Sequence, residues 1–515
     1  MTEKLQQRGS LPCHMKAWAL FVMFMFVVSM IPAKTVSAAT SISPGVKVHT
    51  PDEIRQYIKN NGVDTNTPTT YSVTPSLYDE PGEMDDVSKN NALKMLNNIR
   101  YVLGLSPVAL DDDLGKMAQA AAFVCNSIND IQHEPENEGY TKPENMPQDV
   151  WDLGVQGCAK TNLAYASRAY PMNWAVLCWM DDGDNSNIKR VGHRRWIMNP
   201  AMGKTGFGRS SGYYAMYSFD TSGTNSISGA TVWPAQNMPF EYFENDIPWN
   251  IGLGQVIPNI DSKTIHVQLI RERDGKTWNF TQSSETPVSG QDYYHIHNLE
   301  GGYFIGRKET NLIFRPADLD IRSNDVFHVK VTGDVEMSYD VNFFPLAKLE
   351  SMTFTDDANV GKGGTLSLKD LLKIEPANAI TDTMVWSSDD ESIATVDSNG
   401  KVTGVELGET TITATLDGQT AKCKVKVAKN IADGDFSYTT KVFTYTGEPI
   451  KPFVRVTYDG KNLTEGQDYE LECLNNVDAN YSGSGTINIG RVSTFRIAGK
   501  GDFGGTLGAF WTTKT

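Results

Sequence analysis

The sequence predicts a multidomain chain, with a mixed α/β domain first and a series of all-β sandwich modules after it. Three observations predict this. The 515 residues suit three or four domains at about 100–200 residues each. Apolar residues recur at helical spacing in the first half, at Leu93, Leu96, Ile99 and Leu103 and again at Met117, Ala118, Ala121 and Val124. From about residue 221 the pattern turns to short alternating runs separated by Gly, Asn and Pro, as expected for strands joined by turns.

Residues 1–38 read as an export signal. Basic Lys4, Arg8 and Lys16 precede an apolar run from Ala17 to Ile31, and Val36-Ser-Ala-Ala39 offers the small residues of a cleavage site. The run is about 15 residues, short of the roughly 20 that a membrane span needs, so no span is expected after signal removal. Removal takes away four basic residues (Lys4, Arg8, Lys16, Lys34) and one acid (Glu3), which moves the formal charge from −16 to −19. A surface this acidic repels phosphates, and nucleic acid is therefore excluded as a partner. Residues 39–84, rich in Thr, Pro, Ser and Asp, read as an N-terminal arm with one short amphipathic turn at Ile54-Arg-Gln-Tyr-Ile58.

Five cysteines remain after the signal: Cys125, Cys158, Cys178, Cys423 and Cys473. An odd, sparse set argues against a disulfide framework. A bridge among Cys125, Cys158 and Cys178 is open to any pairing, and Cys423 and Cys473 read as buried and unpaired.

The mixed domain spans residues 85–220. Its helical run Leu114 to Ile128 gives way to Asn129-Asp-Ile-Gln-His133, so His133 lies just past a helix end. His193 opens Gly192-His-Arg-Arg-Trp-Ile-Met-Asn-Pro200, which feeds the glycine-rich Gly203-Lys-Thr-Gly-Phe-Gly208. Two histidines at two element ends can meet in one cleft. Neutral imidazoles there would bind a divalent metal or act in acid–base catalysis. A third metal ligand could come from Asp182, three residues after Trp179, with Glu134 and Glu136 beside His133 as less directed candidates. The acids Asp181, Asp182 and Asp184 would suit calcium or magnesium better than zinc. No nucleophile is evident, because Ser186 lies in a polar loop and Cys178 in the apolar run Trp174-Ala-Val-Leu-Cys-Trp179. The pair His295-x-His297 falls on one strand face and reads as a cross-strand surface pair.

Over residues 85–220 the order of blocks resembles the CAP superfamily (cysteine-rich secretory, antigen 5 and pathogenesis-related proteins), and its bacterial secreted members most. The blocks are Asn90-Asn-Ala-Leu-Lys-Met-Leu-Asn-Asn-Ile-Arg-Tyr-Val-Leu-Gly-Leu-Ser-Pro107, then Leu110-Asp-Asp-Asp-Leu-Gly-Lys-Met-Ala-Gln-Ala-Ala-Ala122, Thr161-Asn-Leu-Ala164, Trp179 and the His193 segment. The resemblance implies an α-β-α sandwich, places His133 and His193 in a shared cleft, and sets Asp182 near the family's Trp-x-x-Glu position. Thr161 stands where the family usually carries glutamate.

Residues 221–346 read as a β-rich companion domain. In residues 347–428, Val385-Trp-Ser-Ser-Asp-Asp-Glu-Ser-Ile-Ala-Thr-Val-Asp-Ser-Asn-Gly-Lys-Val-Thr-Gly-Val405 resembles the bacterial Ig-like group 2 domain, with Asn399-Gly400 suited to a hairpin turn. Residues 430–515 repeat the sandwich theme in a C-terminal β-module. Together these readings imply a secreted or cell-surface bacterial protein that displays a CAP domain on a β stalk. Its expected role is binding or adhesion to cell-wall or host-surface glycans or proteins. The alternatives are an extracellular, protease-like hydrolase using His133 and His193, and a purely structural adhesin.

Overall fold

The computed structural model describes residues 39–514 apart from 77, 225–226, 228, 258–263, 283, 285, 289, 299–307, 439–441, 445–447, 450 and 475–492. The expected signal, residues 1–38, lies outside the described residues. The chain is multidomain and strand-rich, with six α-helices among the described residues.

The helices are α1 (Pro51–Asn60), α2 (Asp86–Val102), α3 (Asp112–Ile128), α4 (Gln148–Cys158), α5 (Met172–Asp181) and α6 (Gly192–Ile197). Acidic caps set the starts of two of them: Asp85 accepts from Ser88 N, and Asp111 from Asp113 N and Leu114 N. Helix α3 therefore begins two residues before the apolar run. It ends on Asn129 in the left-handed region (φ 54°), a common helix stop. The strands Thr161–Tyr165, Tyr213–Tyr217 and Phe207–Ser210 form an antiparallel sheet in that order. Alternate residues serve two cores, as strand geometry requires. Leu163, Tyr213 and Ala215 pack with α3 and α4 through Ala121, Phe123 and Trp151. Ala164, Tyr214 and Met216 enter a larger core with α2 and α5 through Leu96, Ile99, Val176 and Trp179.

That larger core runs without interruption from Ile54 to Phe344. It takes in a pair of sheets, one with Ile265–Arg271, Val326–Gly333 and Val335–Phe344, the other with Thr231–Trp233, Trp249–Gly252, Thr310–Arg315 and Tyr293–Asn298. Trp249 sits at its centre, with its ring 5.5–6.2 Å from those of Phe243, Phe314, Phe327 and Phe343.

The segment expected to be an arm is built into this core, which corrects the reading of residues 39–84. Thr40–Ser41 adds a parallel strand to Val335–Phe344. Helix α1 starts with a reciprocal Thr50/Glu53 capping box and buries Ile54. Arg55 lies 4.8 Å over the Phe344 ring and donates from Nε to the Pro345 carbonyl. A polar composition hid these few anchoring contacts.

Two further cores follow, one over Leu349–Val427 and one over Ile431–Phe503. In the first, Ala394–Val396 and Lys401–Gly404 pair across the Asn399-Gly400 turn. Gly400 is required there twice: its φ is 76°, and a Cβ would meet the Trp386 ring at 2.5 Å. Cys423 and Cys473 lie in these two separate cores.

Candidate functional site

Residues 182–193 are held by a strained backbone. Asp182 ends α5 at φ 48°, and Val191 precedes α6 at φ 43°, ψ 50°. A β-branched residue in the left-handed region is a genuine outlier and persists only where its surroundings over-determine it. Val191 is fully buried against Ile188 and, from the second sheet of the pair, Tyr293 and Ile313. Packing between the helical region and the β-rich region thus fixes the entry into α6.

The four residues after Gly192, His193 to Trp196, are then each held by specific partners. His193 Nδ1 is 2.8 Å from Asp182 Oδ1, and the other carboxylate oxygen accepts from Arg194 N at 2.9 Å. Arg194 is wholly buried. Its Nε donates to Met180 O (2.7 Å), its Nη1 to Pro248 O (2.6 Å) and Asn250 Oδ1 (3.0 Å), and its Nη2 to Asp181 O. Arg195 reaches the β-rich region too, with Nη1 3.2 Å from His297 Nδ1 and Nε 4.0 Å from Glu309. Trp196 stacks on Phe219 at 4.1 Å.

His133 arrives from the other side. Its Nδ1 is 2.7 Å from the carbonyl of Cys158, the last residue of α4. His133 and His193 line one cleft of about 520 Å³, together with Glu134, Thr161, Asn162, Ser186, Arg190, Trp196, Phe219 and His297.

The hydrogen bonds fix two ring tautomers. A carbonyl only accepts, so His133 carries its proton on Nδ1 and keeps a lone pair on Nε2. A guanidinium only donates, so His297 Nδ1 accepts and Nε2 carries the proton. Burial lowers the basicity of His133, and the proximity of His193 adds to it, against the opposing effects of the hydrogen bond to the Cys158 carbonyl and, smaller, of Glu134. Burial, then Arg195, His295 and Arg190, push His297 down to about 4. Burial would lower His193 as well, but the charge and hydrogen bond of Asp182, with Asp184 behind them, outweigh it and hold His193 above 6.5.

Asp182 was expected as a metal ligand, and its geometry differs. Both oxygens are spent behind the imidazole, and its side chain is only 1% exposed. Among the described residues no three His, Cys, Asp or Glu side chains gather to hold a metal ion. Thr161 supplies no carboxylate, and its hydroxyl donates to Gly157 O at 2.9 Å. Ser186, although in the cleft, gives its hydroxyl to Asp184. Cys125 and Cys158 lie buried with their sulfurs 3.8 Å apart, while Cys178 stands elsewhere with an exposed side chain, its thiol pushed up to about 11 by partial desolvation and by Asp181, Asp182 and Asp184.

His295 is buried and His297 lines the cleft, so the surface-pair reading of that motif is corrected. The strand period was right, but the face it points to is covered by α6. The two consecutive arginines after His193 were the available signal, because neighbours on a helix diverge by about 100° and a short buried helix must find partners for both.

With this geometry in view, the cysteine-rich secretory protein (CAP) family matches residues 93–221, and the bacterial Ig-like domain of group 2 matches residues 349–427. The chain carries a CAP domain followed by a bacterial Ig-like domain. His133, His193 and the α6 segment fall within the CAP match, whereas His297 lies outside it. An α-L-arabinofuranosidase of Bifidobacterium longum subsp. longum is 28% identical, over 41% of this chain and 23% of that protein. The chain thus spans under a quarter of that curated relative. Among solved structures, domains 5–6 of the S-layer protein SbsC are 18% identical over 33% of this chain and 100% of that one, with a TM-score of 0.16. Invasin, a bacterial integrin-binding protein, is 10% identical over 46% of this chain and 51% of that one, with a TM-score of 0.15. Scores this low carry no argument about the fold or the role of the chain. Among the described residues no helix is long and apolar enough to cross a membrane.

Proposed function

We propose that this is a secreted or cell-surface bacterial protein whose CAP domain, an α-β-α sandwich over residues 85–220, holds a small polar ligand between His133 and His193. The companion domain (221–346), the Ig-like domain (347–428) and the C-terminal module (430–515) carry that site outward, toward wall or host-surface glycans or proteins. The observation that carries the reading is the single cleft of about 520 Å³ into which both histidines open, a size that suits a small ligand. An aromatic floor of Trp196 and Phe219 and a ring of hydrogen-bonding groups suit a sugar-like molecule.

A hydrolase is the second reading, favoured by one feature. The Asp182 carboxylate behind His193 is how an imidazole is oriented for general-base work. Against it, no activated hydroxyl or thiol faces the cleft among the described residues.

Calorimetric titration with galactose, galacturonate and zinc, beside a peptidase assay, tests the reading on the full chain. We expect sugar binding in the wild type that weakens at least tenfold in the His133→Ala/His193→Ala double variant. Equal binding by both proteins would contradict a histidine cleft. Zinc binding without sugar binding would replace it by a metal site. Peptide cleavage lost in the double variant would promote the hydrolase.

A further inference from the structure

The cleft has a third histidine that belongs to neither matched domain. His297 lies on the strand Tyr293–Asn298, about a hundred residues after His193, and it faces the same cavity. Its tautomer is not a matter of choice. Arg195 has hydrogens to give and no lone pair to offer, so Nδ1 must accept and Nε2–H is left as a donor. Arg195 is itself held by residues of the β-rich region, with Glu309 at 4.0 Å. The donor at His297 is therefore pre-oriented by a buried network, which lowers the ordering cost of binding.

The polarity of the cleft is divided. Arg190, on the exposed rim, is near enough to His297 to depress its basicity, whereas Glu134 is near enough to His133 to raise that ring's. One end thus presents the His297 N–H and a guanidinium, which are donors only. The other end presents the His133 Nε2 lone pair and a carboxylate, which accept. A neutral sugar would satisfy the accepting end through its hydroxyls and leave the donor end without a charged partner. A hydroxylated acid would satisfy both, and charge-assisted hydrogen bonds to an oxyanion are about twice as strong as neutral ones.

Resting on the ligand-cleft reading, we propose that the β-rich companion is part of the binding site, and that His297 with Arg190 forms a donor wall selecting small hydroxylated ligands that carry an oxyanion. The site is then composite. His133 and His193 define the cleft, and the companion sets which ligand fits it.

The test uses the full chain, Trp fluorescence or calorimetry, and three probes: galacturonate, galactose and inorganic phosphate. The variants are His297→Leu, which removes the donor, and Arg190→Ala, an exposed change that leaves the buried network in place. Wild type is expected to prefer galacturonate over galactose at least tenfold. Each variant should cut that preference to threefold or less, through a loss of galacturonate affinity larger than any loss of galactose affinity. Phosphate competing with galacturonate would make any small oxyanion the recognised group, and phosphate failing to compete would restrict it to the carboxylate of an acid sugar. A tenfold acid preference that survives in both variants would overturn the proposal while leaving the ligand cleft intact. Absence of binding for all three probes in the wild type would overturn the ligand cleft and this proposal together.

Discussion

Arg194→Met is expected to destabilise the CAP domain and its companion together, by about 4 kcal/mol. The side chain is fully buried, and burial pulls its basicity down to about 10 against the supporting charges of Asp182 and Asp181. It donates to the carbonyls of Met180, Asp181 and Pro248 and to Asn250. Methionine fills much of the volume but leaves those acceptors dry. Removing one partner of a buried charged network typically costs about 3–5 kcal/mol, because the desolvation of what remains is no longer compensated. Pro248 and Asn250 belong to the β-rich region and Met180 to α5, inside one continuous core. Urea unfolding followed by far-UV circular dichroism and by Trp fluorescence should therefore show one transition moved in both signals. A shift below about 1 kcal/mol, or a CAP signal that moves alone, would mean that Arg194 does not tie the two regions.

The second large effect is on pH. His297 titrates at about 4 in the folded protein against an ordinary value of 6.5, so the unfolded chain binds a proton between those values that the folded chain refuses. The associated stability is fully present above pH 6.5 and is lost as pH falls toward 4. At about 1.4 kcal/mol per unit, the loss amounts to at most about 3.5 kcal/mol. His133, lowered mainly by burial, acts in the same direction. His193 acts in the other: its folded value lies above 6.5, so its contribution is present below that pH and fades as pH rises through the folded value. Stability should peak between these limits. His297→Gln is expected to flatten the acid limb of a melting-temperature profile measured from pH 4 to 8. An unchanged acid limb would place His297 in solvent rather than in the cleft wall.

Much of this architecture was legible in the sequence because it rests on local periodicity. Leu96, Ile99 and Leu103 are buried as their spacing requires, and so are Ala118, Ala121 and Val124. The alternation around Asn399-Gly400 became a strand pair on a turn that only glycine permits. His133 and His193 were legible as cleft residues because one follows a helix end, the other opens a helix, and the CAP resemblance joins them; both line the same cavity. What the pattern could not reveal was non-local. His297 reads as one more alternating residue until α6 is laid over its face. The roles of Arg194 and Arg195 depend on carbonyls and side chains that the chain brings back tens of residues later. Asp182 was expected, through its place near the family's Trp-x-x-Glu position, as a third metal ligand, but its left-handed backbone turns it behind His193.

Three imidazoles from two regions of the chain face one cleft in fixed roles. Long-range ¹H–¹⁵N correlation spectra of the histidine side chains near neutral pH read this directly, with His133→Ala and His297→Gln used for assignment. His133 should be protonated on Nδ1 and His297 on Nε2, and the Nε2 signals of His133, His193 and His297 should all shift when galacturonate is added. A His297 protonated on Nδ1, or a titration that moves His133 and His193 while leaving His297 untouched, would contradict these roles.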